Sequence, residues 1–217
     1  MTTTKLDVYI QFSKQEELVG QLILDSRKIL FKYSNAYLET GKNLSPNQLN
    51  FDDNPQTTEE KPFKGLFGVF ADSLPDAWGY LLIKKRLSTD RIAIESLNAL
   101  DHLTFSGNNS MGALQYRPCI YVEQKAIDIN LDKLNRNISE ILRGESGAVI
   151  DDMFGKGGSP GGARPKIYAG YNPKTDSLIS GIANLPEEYE HWIIKFAADA
   201  DSKDIANIEL AYYNMAL

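Results

Sequence analysis

The residues best suited to chemistry lie between Gly155 and Lys166, in the run G-K-G-G-S-P-G-G-A-R-P-K. Five glycines in twelve positions strip that backbone of side chains, so amide groups can approach a ligand closely and adopt positive φ at little steric cost. Lys156, Arg164 and Lys166 make the segment basic within a chain of net charge −6. Such a segment suits phosphate, because bare N–H groups form an anion-binding concavity and neighbouring cations neutralise the charge. A mobile linker is the alternative that composition alone leaves open.

The elements that must position this segment follow it directly. Ile167 to Tyr171 reads as a strand, Asn172 to Asp176 as a turn and Ser177 to Gly181 as a short returning strand. After Pro186 and an acidic patch comes His191-Trp192-Ile193-Ile194-Lys195-Phe196, an apolar strand carrying one lysine. A charge in such a strand needs a solvated edge or an anionic partner. Glycine-rich segment, hairpin, then lysine strand is the order in which kinase-like folds cover and hold ATP phosphates. Neither G-x-G-x-x-G nor G-x-x-x-x-G-K-S/T occurs.

Ser159-Pro160-Gly161-Gly162-Ala163-Arg164-Pro165-Lys166, then Trp192 to Phe196 and Glu209-Leu210-Ala211, resembles the HipA-type serine/threonine kinases, toxins of bacterial toxin–antitoxin pairs. Phe67 to Leu82, centred on Asp72-Ser73-Leu74-Pro75-Asp76-Ala77-Trp78-Gly79, and Met111 to Tyr116 resemble the same family, in family order. The resemblance implies ATP contacts at Gly161, Gly162, Ala163, Lys166 and Lys195, with Ser159 as the autophosphorylated serine whose modification ejects the loop. Glu209 falls where kinase analogy expects an ion-pair partner for Lys195. It also implies ATP and magnesium for the complete protein, a HipB-like DNA-binding antitoxin, and a protein substrate such as an aminoacyl-tRNA synthetase. Phosphate on Ser159 would place nearly two negative charges where ATP phosphates must sit, which is a physical basis for such a switch.

Composition bounds the alternatives. At 217 residues the chain holds one or two domains and enough apolar material for a core. Net charge −6 and a pI near 5.0 argue against broad nucleic-acid binding, which needs a clustered basic surface. No run of 18 apolar residues and no basic-then-apolar leader is present, so the sequence reads as soluble and cytoplasmic. A lone cysteine, Cys119, fits a reducing compartment and reads as a small packing residue. Two distant histidines and one cysteine give no metal-ligand pattern.

From the start, Leu6, Val8, Ile10 and Phe12 alternate in the strand period, and Ser13 to Glu17 reads as a polar turn. Val19 to Leu24 and Ile29 to Tyr33, joined by Asp25 to Lys28, continue an antiparallel meander. Asn50 to Lys61 reads as a surface loop. The covering helices begin at Ser73, taken as an N-cap with Pro75 in the first turn and Asp76 at the capping-box position. Asp72 and Asp76 are therefore read as structural, and Trp78 as core. A second helix is expected over Asp90 to Leu103, with His102 at its C-terminal end, where the dipole favours it. Met111 to Tyr116 leads into a pair of strands ending near Val122, and a helix is expected between Asp128 and Arg143, stopped by Gly144.

The expected class is α+β: an N-terminal antiparallel β-meander with covering helices, then the β-rich start of a kinase-like N-lobe, truncated in a helix. Domain boundaries fall at 1–122, 123–148 and 149–217. Ile205, Ile208, Tyr212 and Met215 share a face of that last helix, which reaches Leu217 without a glycine cap. No residue after Lys195 reads as the base or the magnesium-binding aspartate that phosphoryl transfer requires. No catalytic residue is therefore assigned in this chain, which is expected to be inactive alone. Two other readings remain open: a short regulatory or antitoxin-like binding module, and a phosphate-binding domain completed by a second polypeptide.

Overall fold

The structure, a computed structural model, describes residues 2–12, 15–107, 112–120, 128–143, 164–180, 185–198 and 200–217. The fold is α+β and is built on two antiparallel sheets. Five strands form the first: β1 (Lys5–Phe12), β2 (Gln15–Asp25), β3 (Lys28–Tyr33), β4 (Gln56–Thr57) and β5 (Leu114–Arg117), in the order β4-β3-β2-β1-β5. The meander is β1 to β3, with Lys5 opposite Ile23 and Gly20 opposite Tyr33. β2 starts at Gln15, so most of the expected polar turn is strand. Of the expected strand pair after Met111, the described residues hold β5, which pairs with β1; Met111 and residues 121–127 lie outside them.

Alternation decides which face is covered. Leu6, Val8, Leu22, Phe31 and Tyr33 are fully buried and meet Phe70 from α2 (Gly68–Ala71) and Leu100 and Leu103 from α4 (Ala99–Ser106). Near the end of β1 the stripe fades, since Phe12 is 64% exposed. The short helix α1 (Asn35–Leu38) is capped by Ser34 and adds Tyr37, stacked on Tyr33. The segment expected as a surface loop contains β4, which pairs with Leu30 and Phe31.

Two helix starts differ from expectation. The N-cap of α3 (Ala77–Thr89) is Asp76, whose Oδ1 accepts from Gly79 N at 2.7 Å. Ser73 instead turns inward, accepting a hydrogen bond from the buried Tyr116 hydroxyl at 2.9 Å. The helix expected over Asp90 to Leu103 is broken. Arg91 adopts φ of 58°, which no α-helix tolerates, and a 3-10 turn at Ile94–Ser96 precedes α4. Asn98 and Asp101 form a capping box for α4, so His102 lies in its first turns and not at its C-terminal end. In the first turns of a helix the dipole opposes a charged imidazole rather than favouring it.

A second core joins the two sheets. Trp78, Leu82, Ile83 and Leu87 of α3, Phe105 of α4, and Leu134, Ile138 and Ile141 of α5 (Leu131–Arg143) enclose Ile167 of the second sheet. That sheet holds β6 (Lys166–Asn172), β7 (Ser177–Ser180) and β8 (Glu190–Lys195) in the order β7-β6-β8. At Gly170 in β6 a Cβ would lie 2.7 Å from Leu185 Cδ2, so a larger residue there would push that side chain aside. Helix α6 (Ile205–Ala216) closes the chain with no buried residue. Gly144, expected to stop α5, is outside the described residues.

Candidate functional site

Ser159, Gly161, Gly162 and Ala163 lie outside the described residues, as does Lys156. The segment's last residues, Arg164 to Lys166, are described, and they sit beside the lysine strand. Lys166 opens β6 and faces Lys195 as its antiparallel partner, with Ile167 opposite Ile194. Directly opposed Cα atoms in such a pair lie about 5 Å apart. Phe196 N donates to Pro165 O at 2.9 Å, which extends the pairing past both lysines.

Sequence order explains why the strands align this way. The turn at Asn172 to Asp176 reverses β6 into β7, where Asn172 Oδ1 accepts from Lys174 N at 2.9 Å, an Asx turn. β8 then returns on the other side of β6, with Ile194 partly buried against the second core while Ile193 and Trp192 remain 46% exposed. Register therefore places both lysines at one end of the sheet.

Each of the three described cations meets a carboxylate. Lys195 Nζ lies 2.9 Å from Glu209 Oε2, joining β8 to α6, with both side chains open to solvent. Arg164 grips Asp201 with two hydrogen bonds, Nε to Oδ2 at 2.8 Å and Nη2 to Oδ1 at 2.6 Å. Asp201 Oδ2 also accepts from Ala198 N at 2.8 Å. The Arg164 hydrogen bonds, seconded by the Ala198 amide, hold the Asp201 carboxyl below its usual range. Lys166 Nζ lies 3.4 Å from Asp76 Oδ2, and these side chains are only 6% and 11% exposed.

The arrangement can neutralise an anion at the β6–β8 end, where Lys195 is the cation most open to solvent. Sequence reasoning paired Lys195 with Glu209 on kinase analogy but did not find Asp201 or the tie from Asp76 to Lys166. The signal for Asp201 was weak, since Ala197 to Asp201 holds two aspartates, Asp199 and Asp201, and nothing in their spacing singles out the second. For Asp76 it was present but incomplete, since the residue was placed at a helix start without its distant partner.

Other candidates resolve structurally. Asp101 completes the α4 cap and its Oδ1 accepts from Thr3 N at 2.7 Å. His102 is buried, stacks on Tyr80 with ring centroids 5.7 Å apart, and its Nδ1 has no hydrogen-bond partner. Burial, with the charge of Lys64 adding to it and that of Asp101 opposing it, pushes its pKa down to about 4. Trp78 is core. His191 is exposed in β8. Among the described residues no three His, Cys, Asp or Glu side chains converge as a metal site.

A five-stranded antiparallel sheet covered by short helices, joined through a helical core to a lysine-bearing three-stranded sheet, defines an α+β protein with one candidate anion edge. The family model of the HipA N-terminal domain matches residues 7–117. The chain belongs to that family, and its N-terminal portion is that of a HipA-type protein. No curated protein matches the chain. No helix among the described residues is long and apolar enough to cross a membrane.

Proposed function

We propose that the chain is the N-terminal portion of a HipA-type serine/threonine kinase, carrying the phosphate-holding half of an ATP site. The observation that carries this reading is the Lys195–Glu209 pair, a strand lysine held by a helix glutamate beside the end of the glycine-rich segment. In kinase-like folds such a pair fixes the lysine that meets the nucleotide phosphates. Gly161, Gly162 and Ala163 would supply backbone amides, and Lys166 would close the segment. Boundaries at 1–122, 123–148 and 149–217 suit this division.

Phosphoryl transfer also needs a base and metal-binding aspartates on a second lobe. Helix α6 supports such a lobe, in the same or another polypeptide, because Leu210, Tyr212, Tyr213 and Met215 are all exposed on it. The latter case is the reading in which a second polypeptide completes the site. A DNA-binding antitoxin of the HipB kind, a protein substrate such as an aminoacyl-tRNA synthetase, and a cytoplasmic setting follow from family membership as parts of this proposal.

The chain alone is expected to bind ATP weakly and to transfer no phosphate. Calorimetric titration should give weak heats that vanish in Lys195→Ala. Tight binding, or binding indifferent to that substitution, would contradict the assignment. In the complete kinase, incubation with ATP should place phosphate on Ser159, read by peptide mass spectrometry. An unmodified Ser159 would remove the proposed switch.

A further inference from the structure

The Asp76 carboxylate serves two partners at once. Oδ1 caps α3 through Gly79 N at 2.7 Å, and Oδ2 meets Lys166 Nζ at 3.4 Å, across 90 residues of sequence. Asp76 lies within the family-matched stretch 7–117, and Lys166 is the first residue of β6. Burying an ammonium this deeply costs free energy that a close carboxylate offsets, so the pair supports the packed state. Tyr168, two residues along β6, feels the same side of the molecule: its hydroxyl is buried without a partner, and burial with the charges of Asp76 and Asp72 raises its pKa.

We propose that Asp76 is a positioning residue of the anion edge. It holds the Lys166 ammonium, and the Lys166–Lys195 register carries that constraint to Lys195. The family's N-terminal domain thereby sets the geometry on which phosphate binds. Coupling of this kind is reciprocal, so an anion at the edge also steadies the contact between α3 and β6. The inference rests on reading the β6–β8 end as an anion site.

Asparagine at position 76 keeps the cap and removes the charge, which separates the two roles. In the full chain, Asp76→Asn is expected to speed amide exchange across Ile167–Asn172 at least tenfold while leaving Leu6–Phe12 unchanged. Lys166→Met should give the same pattern, and the double variant no more than either single one. ATP, titrated into the millimolar range and followed at the Lys195 amide by NMR, should bind Asp76→Asn at least fivefold more weakly than the parent. Leu22→Ala, which loosens the first core away from the edge, should leave that affinity unchanged. Unaltered exchange in Asp76→Asn overturns the tie, and unaltered ATP affinity overturns the positioning role. A parent chain silent to ATP overturns the anion edge and this inference with it, while faster exchange in Asp76→Asn would still mark a purely structural tie.

Discussion

His102 carries an imidazole that folding keeps neutral. Its pKa is pushed down to about 4, chiefly by burial, so the folded chain resists a proton that the unfolded chain accepts near 6.5. Between those values the unfolded state binds more protons, and stability falls as pH is lowered through the window. At pH 4.5 the loss relative to pH 7 is about 2 kcal/mol from this group. His102→Phe keeps a ring against Tyr80, frees no new polar atom and abolishes the titration. Urea unfolding at the two pH values should show a smaller difference in the variant than in the parent; equal differences would mean that His102 is protonated in the fold. None of this was legible in the sequence, which placed His102 at a helix C-terminal end where the dipole would favour its charge. Asp101 spends its oxygens on the Asn98 and Thr3 amides. A neighbour in sequence says little about which backbone groups claim a carboxylate.

At the level of elements, period and turn chemistry made β1 to β3, α3, α5 and the β6–β7 hairpin readable, because each is fixed by its own residues. Errors arose where a distant partner outbid a local signal. Ser73 has the spacing of a capping box, yet Tyr116 takes its hydroxyl and the cap moves to Asp76. Apolar spacing at Ala93, Leu97 and Leu100 imitates a helix, but Arg91 turns the chain at positive φ and Asn98 starts the helix afresh. Gly20 shows how tightly the meander is specified. A Cβ there would lie 2.2 Å from Lys32 O, which is main chain and cannot swing aside. Gly20→Ala is expected to cost about 2–3 kcal/mol, toward the upper end of overpacking penalties, because the β2–β3 ladder itself must shift. A urea midpoint unchanged from the parent would show that the ladder yields more easily than its geometry implies.

Across the whole molecule, apolar surface is unevenly spent. Two cores absorb the first sheet and α2 to α5, while α6 and the outer side of β8 leave Trp192, Ile193, Leu210, Tyr213 and Met215 exposed. The face formed by Ile205, Ile208, Tyr212 and Met215 was legible from its helical period, but period does not say what covers a face. α6 has no buried residue, so its side chains contribute little to holding the described fold together. Apolar side chains left this exposed on one helix call for a partner that covers them. Leu210→Lys should therefore leave the urea midpoint within about 0.5 kcal/mol of the parent, as for other surface substitutions. The same change should lower concentration-dependent self-association in sedimentation and weaken any complex that seats a second lobe on α6. A marked loss of stability in Leu210→Lys would mean that α6 already packs on the fold, and the proposed lobe would need another surface.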